Sequence, residues 1–379
     1  MMRSSITLFF IALLALPAPA LSQMREGGNL AVLYESYSFD DGLGYSDISE
    51  LTLPLTVSAD LGGRAWLTLS SGFTSIRLTG DPAFGREDQE MSGLVDTEAR
   101  AVVELIPGRL NFLATATAPT GMEAMEIGEE VILSALSSQV MGLSTTNLGG
   151  GGRAGGGFVG AIPVGRMALG LAGTYTHSMA YNPVVGQDTE WKPGGEIRLR
   201  AGLEGTVSTG RYLRLTAIFA SRQSDQLDGQ DRGEVGQQFH IYGALNQSLG
   251  TSSLTLYAFD SYRSAPQIEA TSVGALWVPK GNLAALGAKM EIPVGRQSRL
   301  VPKAEFRTYS EAPRAEGGSG SMESAGTTFR LGADFKQPLR PGLALVVEAN
   351  GLFGNVGAGE GSTVGVRGFR GGIHLEYRR

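Results

Sequence analysis

Apolar and polar residues alternate over runs of ten residues or more, and no other feature of the chain constrains its fold as tightly. From Glu50 to Leu61, Leu51, Leu53, Leu55, Val57, Ala59 and Leu61 share one face, and Glu50, Thr52, Pro54, Thr56, Ser58 and Asp60 the other. Successive side chains of a β-strand point to opposite faces, so such a segment is a strand with one apolar and one polar side. The same alternation carries Glu98, Arg100 and Glu104, then Glu196, Arg198 and Arg200, then Lys303, Glu305 and Arg307, then Arg330, Asp334 and Lys336. A soluble β-sandwich also alternates, with its apolar face packed on a second sheet. These runs, however, exceed the usual length of about five or six residues. They match the roughly 9–11 residues with which a tilted strand crosses a bilayer.

The connections alternate too. Short turns fall at Gly62-Gly63, Pro107-Gly108, Pro163-Val164-Gly165, Thr209-Gly210, Gly250-Thr251, Pro293-Val294-Gly295 and Pro341-Gly342. Longer polar loops fall between them, near 40–46, 78–94, 119–154, 179–193, 223–234, 264–281, 311–324 and 354–363. Short turns on one side and long loops on the other are the plan of an outer-membrane barrel. The expectation is an all-β, transmembrane, antiparallel up-and-down barrel of about 16 strands, with 14 as the alternative. The strand near 30–39 and the region 264–292 give the weakest alternation.

The N-terminus fits export. Arg3, the apolar run Ile6–Leu16, Pro17 and Pro19, and the small residues Ala20 and Ser22 form a secretory signal peptide pattern. Residues 1–22 are therefore expected to be removed, leaving 23–379 as the barrel. No Cys is present, so neither disulfides nor thiolate metal sites enter the reading. With 55 Gly in 379 residues, glycine is about twice its usual frequency, which suits a large antiparallel barrel. A net charge of −6 argues against a nucleic-acid partner.

By parity the polar face turns inward. The expected pore lining is Glu98, Arg100, Glu104, Glu196, Arg198, Arg200, Arg214, Lys289, Glu291, Lys303, Glu305, Arg307, Arg330 and Asp334. Dry burial of that many charges costs several kcal/mol per ion unless they pair, whereas a water-filled lumen removes most of the cost. A wide barrel encloses such a channel unless it is plugged. One long loop has a helical pattern: Met125, Ile132, Leu133, Ala135, Leu136, Val140 and Leu143 fall on one arc, with Glu123, Glu126 and Glu130 opposite. The alternatives are a loop folded into the lumen as a constriction, its acids facing Arg100, Arg198 and Arg200, or a cap on the outer rim.

Three resemblances accompany these residues. The terminal Arg370-x-Gly372-x-x-Leu375-x-Tyr377 resembles the strand signal read by the outer-membrane barrel assembly machinery, although Arg378 and Arg379 follow the aromatic. The third-loop helix is similar in position and charge to that of general diffusion porins. The resemblance implies a constriction loop and passage of small-molecule solutes. Ala118-Pro119-Thr120-Gly121 before a helical loop resembles the transporters of long-chain fatty acids and aromatic hydrocarbons, but Gln23–Asn29 is much shorter than their N-terminal plug. A structural or adhesive surface barrel is the third reading, based on the loop 311–324 and on Trp191 and Trp277. No catalytic residues, cofactor or metal are expected, because His177, His240 and His374 lack a Ser or Asp motif. The expected surroundings are outer-membrane lipid, with no nucleic acid.

Overall fold

The computed structural model describes residues 27–122, 130–136, 138–145, 148–186, 188–268, 278–313, 318–359 and 361–378. Residues 1–22, expected from the sequence to be a signal peptide, lie outside them. The first strands are β1 (Gly27–Phe39), β2 (Tyr45–Asp60), β3 (Ala65–Gly80), β4 (Gln89–Ile106) and β5 (Leu110–Ala118). After them come α1 (Glu130–Leu136), β6 (Arg153–Val164), β7 (Met167–Ser178), β8 (Trp191–Lys192), β9 (Glu196–Ser208) and β10 (Arg211–Arg222). The middle of the chain gives β11 (Asp225–Leu227), β12 (Gln230–Glu234), β13 (Gln238–Leu249), β14 (Ser252–Arg263) and β15 (Gln267–Ile268). The last strands are β16 (Gly281–Val294), β17 (Ser298–Glu311), β18 (Glu323–Arg340), β19 (Leu343–Gly359) and β20 (Ser362–Arg378).

Sixteen of these strands close a barrel, all but β8, β11, β12 and β15. Each barrel strand is antiparallel to its neighbours, and β20 closes on β1 from Gly27↔Arg378 to Phe39↔Val366. Closure removes the unpaired edges that a sheet cannot carry through lipid. The seam explains one glycine. A Cβ on Gly372 would lie 2.5 Å from Leu33 Cδ2, so a larger residue there would displace the Leu33 side chain from its place at the seam.

Two expected features differ. The strands run further out than the alternation indicates. Thus β3 continues to Gly80 and β4 starts at Gln89, while β19 and β20 leave only a tight hairpin where a loop at 354–363 is expected. Three of the long loops also pair with one another: β8, β11, β12 and β15 form a four-stranded sheet in the order β15-β12-β11-β8. These segments of two to five residues are too short to show a period in sequence.

Candidate functional site: a half-filled lumen

The outer wall is apolar. Val32, Leu171, Ile197, Leu199, Leu286, Phe353 and Ile373 are all exposed around the barrel. Aromatic rings line up across strands on this face, Phe306 against Phe329 at 6.2 Å and Phe329 against Phe353 at 5.5 Å. Charged side chains stand on the inner wall instead. An apolar exterior around a closed interior that holds charges fits a barrel standing in lipid. The protein is an outer-membrane β-barrel.

The interior is divided. The third loop turns back into the barrel and packs on one side of it. Ile132, Ala135 and Leu136 of α1, with Val140, Met141, Leu143 and Leu148 beyond it, join one buried cluster with inward residues of the wall. Those wall residues are Tyr37 and Phe39 on β1, Ile48 on β2, Ile76 and Leu78 on β3, and Met91 on β4. From the other direction come Leu283, Tyr309, Leu352, Val356 and Val366. Ile132 and Leu136 are both 0% exposed.

Polar bonds fix the strap that follows the helix. Thr328 Oγ1 donates to the Val140 carbonyl at 2.9 Å, and Arg330 Nη2 donates to that of Met141 at 2.6 Å. Two carboxylates then hold successive amides: Ser144 N donates to Glu35 Oε1 and Thr145 N to Glu50 Oε1, each at 2.7 Å. Glu35 and Glu50 are opposite each other in the β1–β2 register. Thus the carbonyls of the strap meet a hydroxyl and a base on β18, and its amides meet acids on β1 and β2. Such charge-assisted bonds are about twice as strong as neutral ones. The neck is closed by Asp96, which accepts from Gly121 N at 3.0 Å and Gly150 N at 2.9 Å. A Cβ on Gly121 would sit 2.0 Å from the Leu148 carbonyl oxygen, so the two limbs of the neck meet only through glycine.

Among the described residues α1 covers Glu130–Leu136, and a turn rather than helix follows it, so the helix ends before the Leu143 that the sequence periodicity predicts. Gly142 has a φ of 60°, so the backbone there has left the helical region. Val140 and Leu143 are buried, but from the strap rather than from the helix. Glu123 and Glu126, and the Glu130 side chain, lie outside the described residues. The bases that meet the described part of the loop are Arg330 and Arg307, the latter with a guanidinium against Gly142.

Those three arginines line the open half of the lumen, a cavity of about 740 Å³ along β4–β10. Its floor is small: Thr115, Thr117, Gly156, Gly160, Ala161, Ala168, Gly170 and Ala172 leave the space that bulkier side chains would fill. Its charged side chains are six arginines (Arg100, Arg153, Arg198, Arg200, Arg214 and Arg222) against three glutamates (Glu98, Glu196 and Glu204). Arg198 meets Glu196 at 2.6 Å, Arg222 meets the same residue at 3.8 Å, and Arg214 meets Glu204 at 2.8 Å. Arg100, Arg153 and Arg200 have no ion-pair partner among the described residues.

The other expected lining residues sit on the filled side or at the rim. Lys303 bonds Asp334 at 2.6 Å and reaches Glu348 at 3.5 Å, and Arg307 meets Glu305 at 2.6 Å. Glu291 meets Arg299 at 3.0 Å, and Lys289 faces Lys303 across the β16–β17 register. Glu104 accepts the Gly108 amide at a turn. Leu375 is exposed on the outer face, and Tyr377 stands opposite Gly28 in the seam. Sequence reasoning missed Glu35 as an anchor. Its signal is an acid on the inner face of a strand whose other inner residues are apolar: Ala31, Leu33, Tyr37 and Phe39.

Among the described residues there is no group of three His, Asp or Glu able to hold a metal ion. His374 Nε2 lies 3.8 Å from Glu348 Oε1, and His240 is opposite Ile218 in the wall. No family model and no curated protein matches the chain. Among solved structures, OprD from Pseudomonas aeruginosa is 10% identical, with 94% of each chain covered and a TM-score of 0.47. OccAB3 from Acinetobacter baumannii is 9% identical over 93% of this chain and 99% of that one, with a TM-score of 0.47. A bacterial polysaccharide outer membrane secretin is 7% identical over 93% and 98%, with a TM-score of 0.48. At such identity and overlap the likeness assigns neither activity nor solute.

Proposed function

We propose that the chain is a passive outer-membrane channel for small solutes, narrowed by its third loop and favouring anions. The division of the lumen carries this reading. The loop occupies the side where Glu35 and Glu50 lie, and the remaining space is bounded by six arginines and three glutamates. Fixed positive charge in a confined passage raises the local concentration of anions and lowers that of cations. The three arginines without an acidic partner supply that field, while the paired ones brace the wall. The nine charged side chains that line the cavity favour hydrophilic solutes over fatty acids or hydrocarbons.

In this reading Glu98, Arg100, Glu196, Arg198, Arg200 and Arg214 act on the solute. Glu123, Glu126 and Glu130 belong to the constriction segment and oppose the arginine field. Gly372, Leu375 and Tyr377 serve assembly. Purified protein in a planar bilayer is expected to give stepwise conductance, with a zero-current potential in a KCl gradient whose sign reports anion preference. Flat traces from correctly folded protein overturn the channel, and a cation-selective potential overturns the role of the arginines. Replacing Glu123, Glu126 and Glu130 with Gln moves the potential further toward anions.

A further inference from the structure

Arginines recur at the end of the barrel that carries the short turns. Arg64 lies between β2 and β3, Arg109 between β4 and β5, Arg166 between β6 and β7, and Arg296 between β16 and β17. Arg340 ends β18 and Arg378 ends β20. All six are exposed, and none has an ion-pair partner among the described residues. The short turns themselves contain no Asp or Glu. Asp60 and Glu104, at the strand ends beside them, are bound to turn amides: Asp60 to those of Gly62 and Gly63, Glu104 to that of Gly108. The rim is therefore a cationic ring whose nearest acids are already engaged.

Its level along the barrel identifies what it meets. Exposed apolar side chains stand within five residues of these arginines: Leu61 before Arg64, Ile106 before Arg109, Val164 before Arg166, Val294 before Arg296 and Leu339 before Arg340. The first member of each pair marks the edge of the hydrocarbon, so the guanidinium beside it stands at headgroup level. Arginine there keeps its stem on apolar surface and its charge in the interface. Guanidinium also matches phosphate in a bidentate geometry.

We propose that this ring binds the phosphate groups of anionic phospholipids in the periplasmic leaflet and fixes the height of the barrel in the membrane. The inference is independent of any solute. It predicts selective retention of phosphatidylglycerol over phosphatidylcholine by the intact protein in neutral detergent, read by native mass spectrometry. Cooperation of several arginines gives a preference of about tenfold or more, since each basic residue near an anionic surface adds a comparable attraction. The variant R64Q/R109Q/R166Q/R296Q/R340Q is expected to lose that preference, and the corresponding Lys variant to keep most of it. The heat-dependent shift in gel mobility checks that each barrel is folded. For the unaltered protein, raising KCl from about 50 to about 500 mM weakens retention, because exposed charges are screened. Equal retention of the two lipids, persistence of the preference in the Gln variant, or insensitivity to salt overturns the proposal. So does equally tight binding of glycerol phosphate, which has the charge without the acyl chains.

Discussion

The double substitution I132A/L136A tests the proposed constriction directly. Both side chains are 0% exposed and lie one helical turn apart on the face of α1 that meets the barrel wall. Truncating a buried Leu or Ile to Ala costs about 2–5 kcal/mol, part of it lost transfer energy and part cavity. The two sites are neighbours and do not add strictly, so about 4 kcal/mol is a conservative loss for the pair. That loss falls on the docked loop, because neither residue belongs to a barrel strand. Every 1.4 kcal/mol is a factor of about ten, so the undocked population rises about a thousandfold. Single-channel recording should show long dwells at a higher conductance, where the unaltered protein shows them rarely. Circular dichroism and heat-dependent gel mobility establish that the wall is intact. Unaltered conductance and dwell times in a folded double variant refute the reasoning, since the loop then does not limit flow.

Three further outcomes are expected. Replacing Arg100, Arg153 and Arg200 with Gln moves the zero-current potential toward cations with little change in stability, because none of the three has an ion-pair partner to orphan; a potential that stays put removes them from the solute path. Gly354→Ala lowers the yield of folded barrel, because φ is 153° and a Cβ would lie 2.1 Å from the Thr327 carbonyl oxygen; normal yield in a refolding assay contradicts this. Asp225, on the external sheet, has its carboxyl raised above its ordinary value by burial, an effect opposed by the Gly194 amide it accepts at 2.7 Å and by Arg222. A raised folded value gives a contribution that is full below the ordinary value of about 3.9 and is lost as pH rises through the raised one. Amide exchange over residues 191–195 and 225–234, corrected for intrinsic rate, therefore speeds up across that window, and D225N removes the pH dependence.

The fold was legible where only one face of a strand is apolar. Where the inner wall borders the cavity, along β4–β10, alternation is clean, and parity alone separates Ile197 and Leu199 outside from Arg198 and Arg200 inside. It blurs where the third loop lies against the wall. On β1, Leu33, Tyr37 and Phe39 face the interior while Val32 and Tyr34 face lipid, so both sides are apolar. The same holds for β16, where Leu283 and Ala285 are buried inside and Leu286 is exposed outside. The two weakest strands in the sequence are thus ones the loop covers. What faces the loop could not be read at all, because it depends on strand stagger and on where the chain re-enters. For that reason the contacts of Arg330 and Arg307 with the strap at Met141 and Gly142 were not foreseen.

Filling one side of a cylinder gives it two stiffnesses. Where side chains pack from the wall through the loop to the far wall, inward flexing must compress a solid of nearly incompressible density. Along β5–β10 the wall is a single sheet that carries many small residues, braced by a few ion pairs and bordered by the cavity. Thermal and lateral-pressure fluctuations of the bilayer will therefore change the shape of the cross-section chiefly on the open side. In the proposed channel this arc bounds the passage, so membrane tension and lipid thickness are expected to act on its bore rather than on the loop.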